Sequence, residues 1–301
     1  MRRLLALLST LVMAVMTGCG SDTDHDGDIV VTTNILGDVV RHIVGDAAPV
    51  RVLMQAGADP HSFGISAQDA TAMNDAALIV YNGLGLEENL VRNVESAAAQ
   101  GVPTLAVGEH IDPIRYTDGE SAGSPDPHFW TDPQRMITAV DVIESSLLQD
   151  VAGIDRVALS RNAEAYREQL RALDRHMLDG FAALPADRRK LVTNHRVLGY
   201  LAQRFDFEVI GAVVPSGTTL AAPSPSDLQS LVGAIEDARV PAIFVDSSQP
   251  DKLARVLAED AGVRVRIIGL YSESLSAPGT PGATYLDMMR ANTDAIVTGL
   301  R

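Results

Sequence analysis

The chain has 301 residues, with 24 Lys and Arg against 39 Asp and Glu, a formal charge of −15. Hydrophobic residues make up 46% and charged residues 21%, the balance of a folded protein rather than a disordered one. The acidity excludes a nucleic-acid binder, which needs a basic surface, and suits a protein that attracts cations.

Arg2 and Arg3 give the chain a positive start, and Leu4 to Val15 is an apolar run of signal-peptide length. Met16-Thr17-Gly18-Cys19 then resembles a bacterial lipobox, with Met16 where Leu is usual. On this reading residues 1–18 are a signal peptide, and Cys19 is lipidated and becomes the mature N-terminus. Cys19 is the single cysteine, so neither an internal disulfide nor a thiolate zinc site can form. Residues 19–28 read as a polar tether. Asp22, Asp24, Asp26 and Gly27 imitate the opening of a calcium loop, but the twelfth position is Thr33 instead of a bidentate Glu. No later stretch approaches ~20 apolar residues, so the lipid is the only expected membrane attachment.

From Ile29 short apolar runs alternate with amphipathic stretches. Strands are expected at Ile29–Thr33, Val50–Met54, Leu78–Tyr81 and Pro103–Val107, with helices at Ser66–Ala76 and Glu87–Ala99. A second block offers strands at Lys190–Asn194, Val209–Val213, Ala242–Asp246 and Val263–Ile268, with helices at Ser226–Ala238, Pro250–Asp260 and Tyr285–Leu300. Such alternation implies a parallel sheet covered on both faces. The expected fold is therefore α/β, with an N-terminal domain over 29–152 and a C-terminal domain over 185–301. Residues 153–184 between them read as one long, stiff helix, because Val157, Ala158, Tyr166, Leu170, Leu173 and Met177 recur at helical spacing. Residues 108–126 read as a polar loop.

Seven histidines are present, and three have unusual surroundings. His61 and His128 each follow Asp-Pro, and His195 closes the strand Lys190–Asn194. Pro restricts the backbone before each of the first two, although their differing flanks argue against a repeat of structure. Ligands of open α/β sheets bind beyond the carboxyl ends of strands, which suits His61 and His195. Three converging neutral imidazoles would hold a cation, and a carboxylate would complete the set. Glu273, just beyond the strand Val263–Ile268, is the first candidate, and Asp246, at the end of Ala242–Asp246, is the runner-up. His42 and His176 read as helix-surface residues, and His110 as part of the solvated loop.

With these motifs on the page, the chain resembles the zinc/manganese class of solute-binding proteins of bacterial ABC importers. The resemblance is carried by Val30-Val31-Thr32-Thr33-Asn34-Ile35-Leu36, Asp59-Pro60-His61-Ser62-Phe63 and Tyr81-Asn82-Gly83-Leu84-Gly85-Leu86-Glu87. It continues through Asp126-Pro127-His128-Phe129-Trp130-Thr131-Asp132-Pro133, His195 with Leu198-Gly199-Tyr200, and Ala242–Asp246 with the Leu270–Leu275 segment. It implies a metal site of His61, His128, His195 and Glu273 in the cleft between the domains. It also implies an extracytoplasmic, lipid-anchored monomer that passes metal to a membrane permease. The pattern departs at Glu273, where Asp is more usual, at Arg196, where an acidic residue is frequent, and in lacking a long His-rich loop. Three His and one carboxylate suit Zn(II), with manganese or iron as the other cargo. A zinc hydrolase is the competing class. It would need an open metal position for water, which a coordinating Glu273 closes.

Overall fold

The computed structural model describes residues 27–301 except 118, 120 and 261–264. The signal-like segment, Cys19 and the aspartates of the calcium-like tether lie outside the described residues. Among those described, no helix is long and apolar enough to cross a membrane.

Two four-stranded sheets are present. The first orders its strands β2-β1-β3-β4, from β1 (Ile29–Val31), β2 (Val50–Val52), β3 (Leu78–Tyr81) and β4 (Thr104–Ala106). The second orders them β6-β5-β7-β8, from β5 (Lys190–Thr193), β6 (Glu208–Ala212), β7 (Ala242–Asp246) and β8 (Arg266–Leu270). Every pairing is parallel. Both sheets therefore reverse their winding beside their first strand, and this is where a ligand crevice forms. β1, β3 and β7 are short apolar runs because helices cover them on both faces.

The first sheet carries α1 (Asn34–Val44), α2 (Ala67–Asn74), α3 (Val91–Ala99) and α4 (Pro133–Asp150). After it runs α5 (Arg156–Ala182), 27 residues without interruption. The second sheet carries α6 (Gly199–Phe205), α7 (Pro225–Ala238), α8 (Lys252–Asp260) and α9 (Tyr285–Leu300). Caps set several of the starts. The Asp132 side chain accepts from the N–H of Gln134, with Pro133 in the first turn of α4, and Asp155 accepts from the N–H groups of Val157 and Ala158.

α5 packs against α1 and α4 of the first half and against α9, which itself lies on β8. The largest apolar cluster runs with it, from Ile29 and Leu78 through Leu170 and Phe181 to Leu191, Phe244 and Tyr285. The buried stripe of α5 is Leu159, Ala163, Tyr166, Leu170, Leu173, Met177 and Phe181. Val157, expected in that stripe, is 80% exposed, since the helix begins only at Arg156 and its first turn overhangs the core.

The helix expected from Glu87 starts instead at Val91. Glu87 is buried in the preceding turn, where its carboxylate accepts from Thr32 Oγ1, Asn82 N and Gly83 N. Gly83 adopts a φ of 76°, which lets that turn close around the carboxylate. The strand expected from Val263 to Ile268 lies at Arg266–Leu270.

Candidate metal centre

Four side chains meet between the two halves. His61 comes from the loop after β2, and His128 from the segment just before a 3-10 turn at Phe129–Thr131 and α4. His195 follows β5, and Glu273 follows β8. All four are at most 1% exposed. Among the described residues they form a group whose potential donor atoms lie within 4.8 Å of one another. His61 Nε2 is 3.3 Å from His128 Nε2 and 3.7 Å from Glu273 Oε2. Glu273 Oε1 is 3.7 Å from His128 Nε2 and 3.2 Å from His195 Nε2. Donors at about 2.0–2.1 Å around a tetrahedral zinc would be about 3.3–3.4 Å apart; the 3.2 and 3.3 Å separations match this and the 3.7 Å ones are wider.

The histidines are presented by local chemistry. Asp59 Oδ1 accepts from the backbone N–H of His61 at 3.0 Å, and Asp126 Oδ1 accepts from that of His128 at 2.9 Å. The two Asp-Pro-His segments thus share one side-chain contact, while their backbones differ as their flanks suggest: Asp59 O accepts from Ser62 and Phe63 N–H, and Asp126 O from the Tyr200 hydroxyl. In each, Asp bonds two residues ahead and Pro restricts the residue between. Asp126 also lies 2.7 Å from His128 Nδ1 through the same oxygen. Its carboxylate can only accept, so Nδ1 carries a proton and Nε2 is left facing the cage. The Tyr116 hydroxyl, from the 108–126 loop, closes on the same pair at 3.2 Å from each.

The carboxylate side is held from two directions. Asp246 Oδ2 accepts from Ser272 N, Ser272 Oγ and Glu273 N at 2.6–3.0 Å. Asp246 Oδ1 accepts from Ser248 N and Oγ. Both oxygens of Asp246 are therefore committed to the backbone that aims Glu273, and Asp246 stands outside the donor group. From the other half, Asn34 Nδ2 donates to Ser274 Oγ, and Asn34 Oδ1 accepts from Leu275 N. Trp130 Nε1 donates to Ser272 O at 2.8 Å.

Burial drives the electrostatics. Desolvation, with the nearby His128 and His195, pushes His61 down to about 2. Burial also pushes His128 down, but the charges of Glu273 and Asp126 and the Asp126 hydrogen bond outweigh it, so His128 stands above its ordinary value. Burial raises Glu273 above the usual carboxylate range, only partly offset by His128 and His195. Neither Glu273 oxygen has a hydrogen-bond partner, and His61 Nδ1 has none.

The mouth of the site is closed by bonds across the halves. Asp59 Oδ2 accepts from Thr219 Oγ1 at 2.6 Å and Gln249 Nε2 at 3.0 Å. Thr218 Oγ1 donates to Glu88 Oε1, which lies 4.0 Å from His61 Nδ1. The other described histidines stay outside. His42, His110 and His176 are exposed and belong to no donor group. Asp126 was visible in the sequence as part of its motif, but its hold on His128 was not. The signal for it was the Asp two residues before each of two histidines.

The profile of a family described as zinc-uptake complex component A, periplasmic, matches residues 29–299. The manganese-binding lipoprotein MntA of Halalkalibacterium halodurans is 30% identical over 300 residues, covering 96% of each chain. The zinc-binding protein TroA of Treponema pallidum is 31% identical over 301 residues, again covering 96% of each. The iron-binding protein YfeA of Yersinia pestis is 28% identical over 295 residues, covering 98% of this chain and 92% of the relative. The solved structure of the periplasmic zinc-binding protein TroA superposes with a TM-score of 0.84 at 32% identity, over 91% of this chain and 99% of that one. By profile, by identity along nearly its whole length and by fold, this chain belongs to the zinc-uptake component A family, the solute-binding proteins of metal ABC importers.

Proposed function

We propose that this protein captures Zn(II) outside the cytoplasm through His61, His128, His195 and Glu273 and delivers it to the permease of an ABC importer. The observation that carries this reading is Glu273. It is a fully buried carboxylate with both oxygens unbonded, facing three imidazoles. A buried acceptor without a partner is strongly unfavourable, and a cation at the centre of the four donors would satisfy it. Three imidazoles and one carboxylate favour zinc over manganese, which prefers more oxygen. The relatives above are named for manganese, zinc and iron, so the choice rests on the donor set of this chain. With Glu273 as the fourth donor no position is left for an attacking water, which argues against a hydrolase. A Cys19 lipid would tether the protein to the membrane surface.

Calorimetric titration of zinc and manganese into the wild type and the four single alanine variants tests the reading. His61→Ala, His128→Ala and His195→Ala should each lower zinc affinity by more than the ~10–100-fold typical of residues that only support a ligand. Glu273→Ala should lose less, with water as the replacement donor. Wild-type zinc affinity in His195→Ala would sink the proposed site, and tighter binding of manganese than of zinc would reassign the cargo.

A further inference from the structure

Asn194 stands one residue before His195, at the C-terminal end of β5. Its side-chain amide has two neighbours that fix its orientation. The backbone N–H of Asp246 donates to Asn194 Oδ1 at 3.1 Å. The other arm of the amide, Nδ2, then faces His195 Nδ1 at 3.3 Å. An amide NH2 only donates, so Nδ1 of His195 is the acceptor. A neutral imidazole carries one proton, and with Nδ1 accepting, that proton sits on Nε2. Nε2 is the nitrogen turned into the cage, 3.2 Å from Glu273 Oε1 but, like that oxygen, without a hydrogen-bond partner.

His128 is prepared in the opposite sense. Its Nδ1 donates to Asp126, so in the neutral ring the lone pair is on Nε2, the nitrogen that faces the cage. His61 Nε2 meets His128 Nε2 at 3.3 Å, and its Nδ1 has no hydrogen-bond partner, so no donor opposes a proton that moves to Nδ1 when a metal takes Nε2. The three imidazoles are therefore unequal before any ion arrives. A separate observation concerns space. A cavity of about 90 Å³ opens on His195 and Asn194, walled by Val213, Val214, Val245 and Leu253. That volume gives the His195 ring somewhere to move.

We infer that Asn194 is a positioning residue that makes His195 the labile arm of the cage, the last donor to bind and the first to let go. The inference rests on the reading of His195 as a ligand. For Nε2 to coordinate, its proton must leave for solvent while Nδ1 takes one up, with no net change in charge. The new Nδ1–H then opposes the Asn194 NH2, donor against donor. Turning the amide to relieve this would leave the Asp246 N–H without its acceptor. Either arrangement weakens one ligand without removing it, which serves a protein that must give up its ion.

The test uses the full chain with ¹⁵N-labelled histidine at about pH 8, where free imidazoles are neutral. Long-range ¹H–¹⁵N correlation on the metal-free wild type should show His195 protonated at Nε2. In Asn194→Asp the carboxylate still accepts from Asp246 N and now accepts from Nδ1, so the proton should move to Nδ1. Zinc dissociation into excess chelator should then slow by about 10-fold or more, the scale of support given to a ligating histidine. An added charge alone would also hold the cation longer, so the rate counts only together with the proton position, and slower dissociation with the His195 proton still on Nε2 would overturn the inference. A wild-type His195 protonated at Nδ1, or an unchanged dissociation rate in Asn194→Asp, would overturn the inference. His195→Ala separates the two levels. Retained zinc affinity there removes the ligand itself, whereas lost affinity with an unchanged Asn194→Asp rate removes only the role of Asn194.

Discussion

Asp-Pro-His occurs twice, and each copy spends its aspartate on the backbone of its own histidine. Only Asp126 also reaches the imidazole, which gives the two rings different proton affinities. This sets the pH dependence. A metal needs each Nε2 free of protons, so any group protonated in the metal-free protein competes with it. His61, pushed down to about 2, is already neutral and releases nothing. His128 is raised above its ordinary value and Glu273 above the usual carboxylate range, so protons compete with metal at both. Affinity should therefore rise with pH until His128 is deprotonated and fall as pH drops below that point. Zinc binding should release protons, and more of them as pH falls. Calorimetry in buffers of different ionisation enthalpy counts them, and an affinity and proton release that stay flat between pH 7.5 and about 5.5 would contradict the picture. Trp130 offers a second reading of the same ring, 5.3 Å away and edge-on. Zinc should change tryptophan emission, saturating at one equivalent, and His128→Ala should abolish the response. A saturating response that survives His128→Ala would locate the ion elsewhere. The three histidines that meet in the structure were legible in the sequence, because histidine after Asp-Pro or at a strand end is unusual. The choice between Glu273 and Asp246 was not legible. It depends on which carboxylate the folded backbone occupies, and Ser272, Glu273 and Ser248 occupy Asp246.

The strands were legible because parallel strands buried on both faces are short runs of Val, Ile and Leu, and Leu78–Tyr81 and Ala242–Asp246 fall where expected. Glu87 defeated the pattern. A glutamate before an amphipathic stretch reads as a first helical turn, but its three acceptor bonds belong to the turn that precedes α3. In α5 periodicity located the stripe but not its first residue, since Val157 satisfies helical spacing and still overhangs the core. A pair of substitutions separates the two positions. Leu170→Ala, fully buried among α5 neighbours, should destabilise the protein by about 2–5 kcal/mol. Val157→Ala should stay within about 0.5 kcal/mol. Urea unfolding measures both, and equal effects would show that the exposed turn carries packing of its own.

At 27 residues, α5 is about 40 Å long, and it touches helices of both halves. The apolar cluster beside it is continuous from one sheet to the other. A spine packed in this way resists wide hinge bending, so loading with zinc should act through the mouth loops near 108–126 and 215–224. Small-angle scattering of the metal-free and zinc-loaded protein should show little change in radius of gyration. A large drop on adding zinc would mean that the halves swing freely. The cage itself is sewn across the chain at 61, 128, 195 and 273, and Asn34 holds the backbone beside its last member. A polypeptide made from its N-terminus has all three of these imidazoles before the carboxylate exists. The trap is therefore set late in biosynthesis. An unfinished chain offers only scattered histidines, and an ion met on the way out is not kept until the final strand and α9 have closed over the seam.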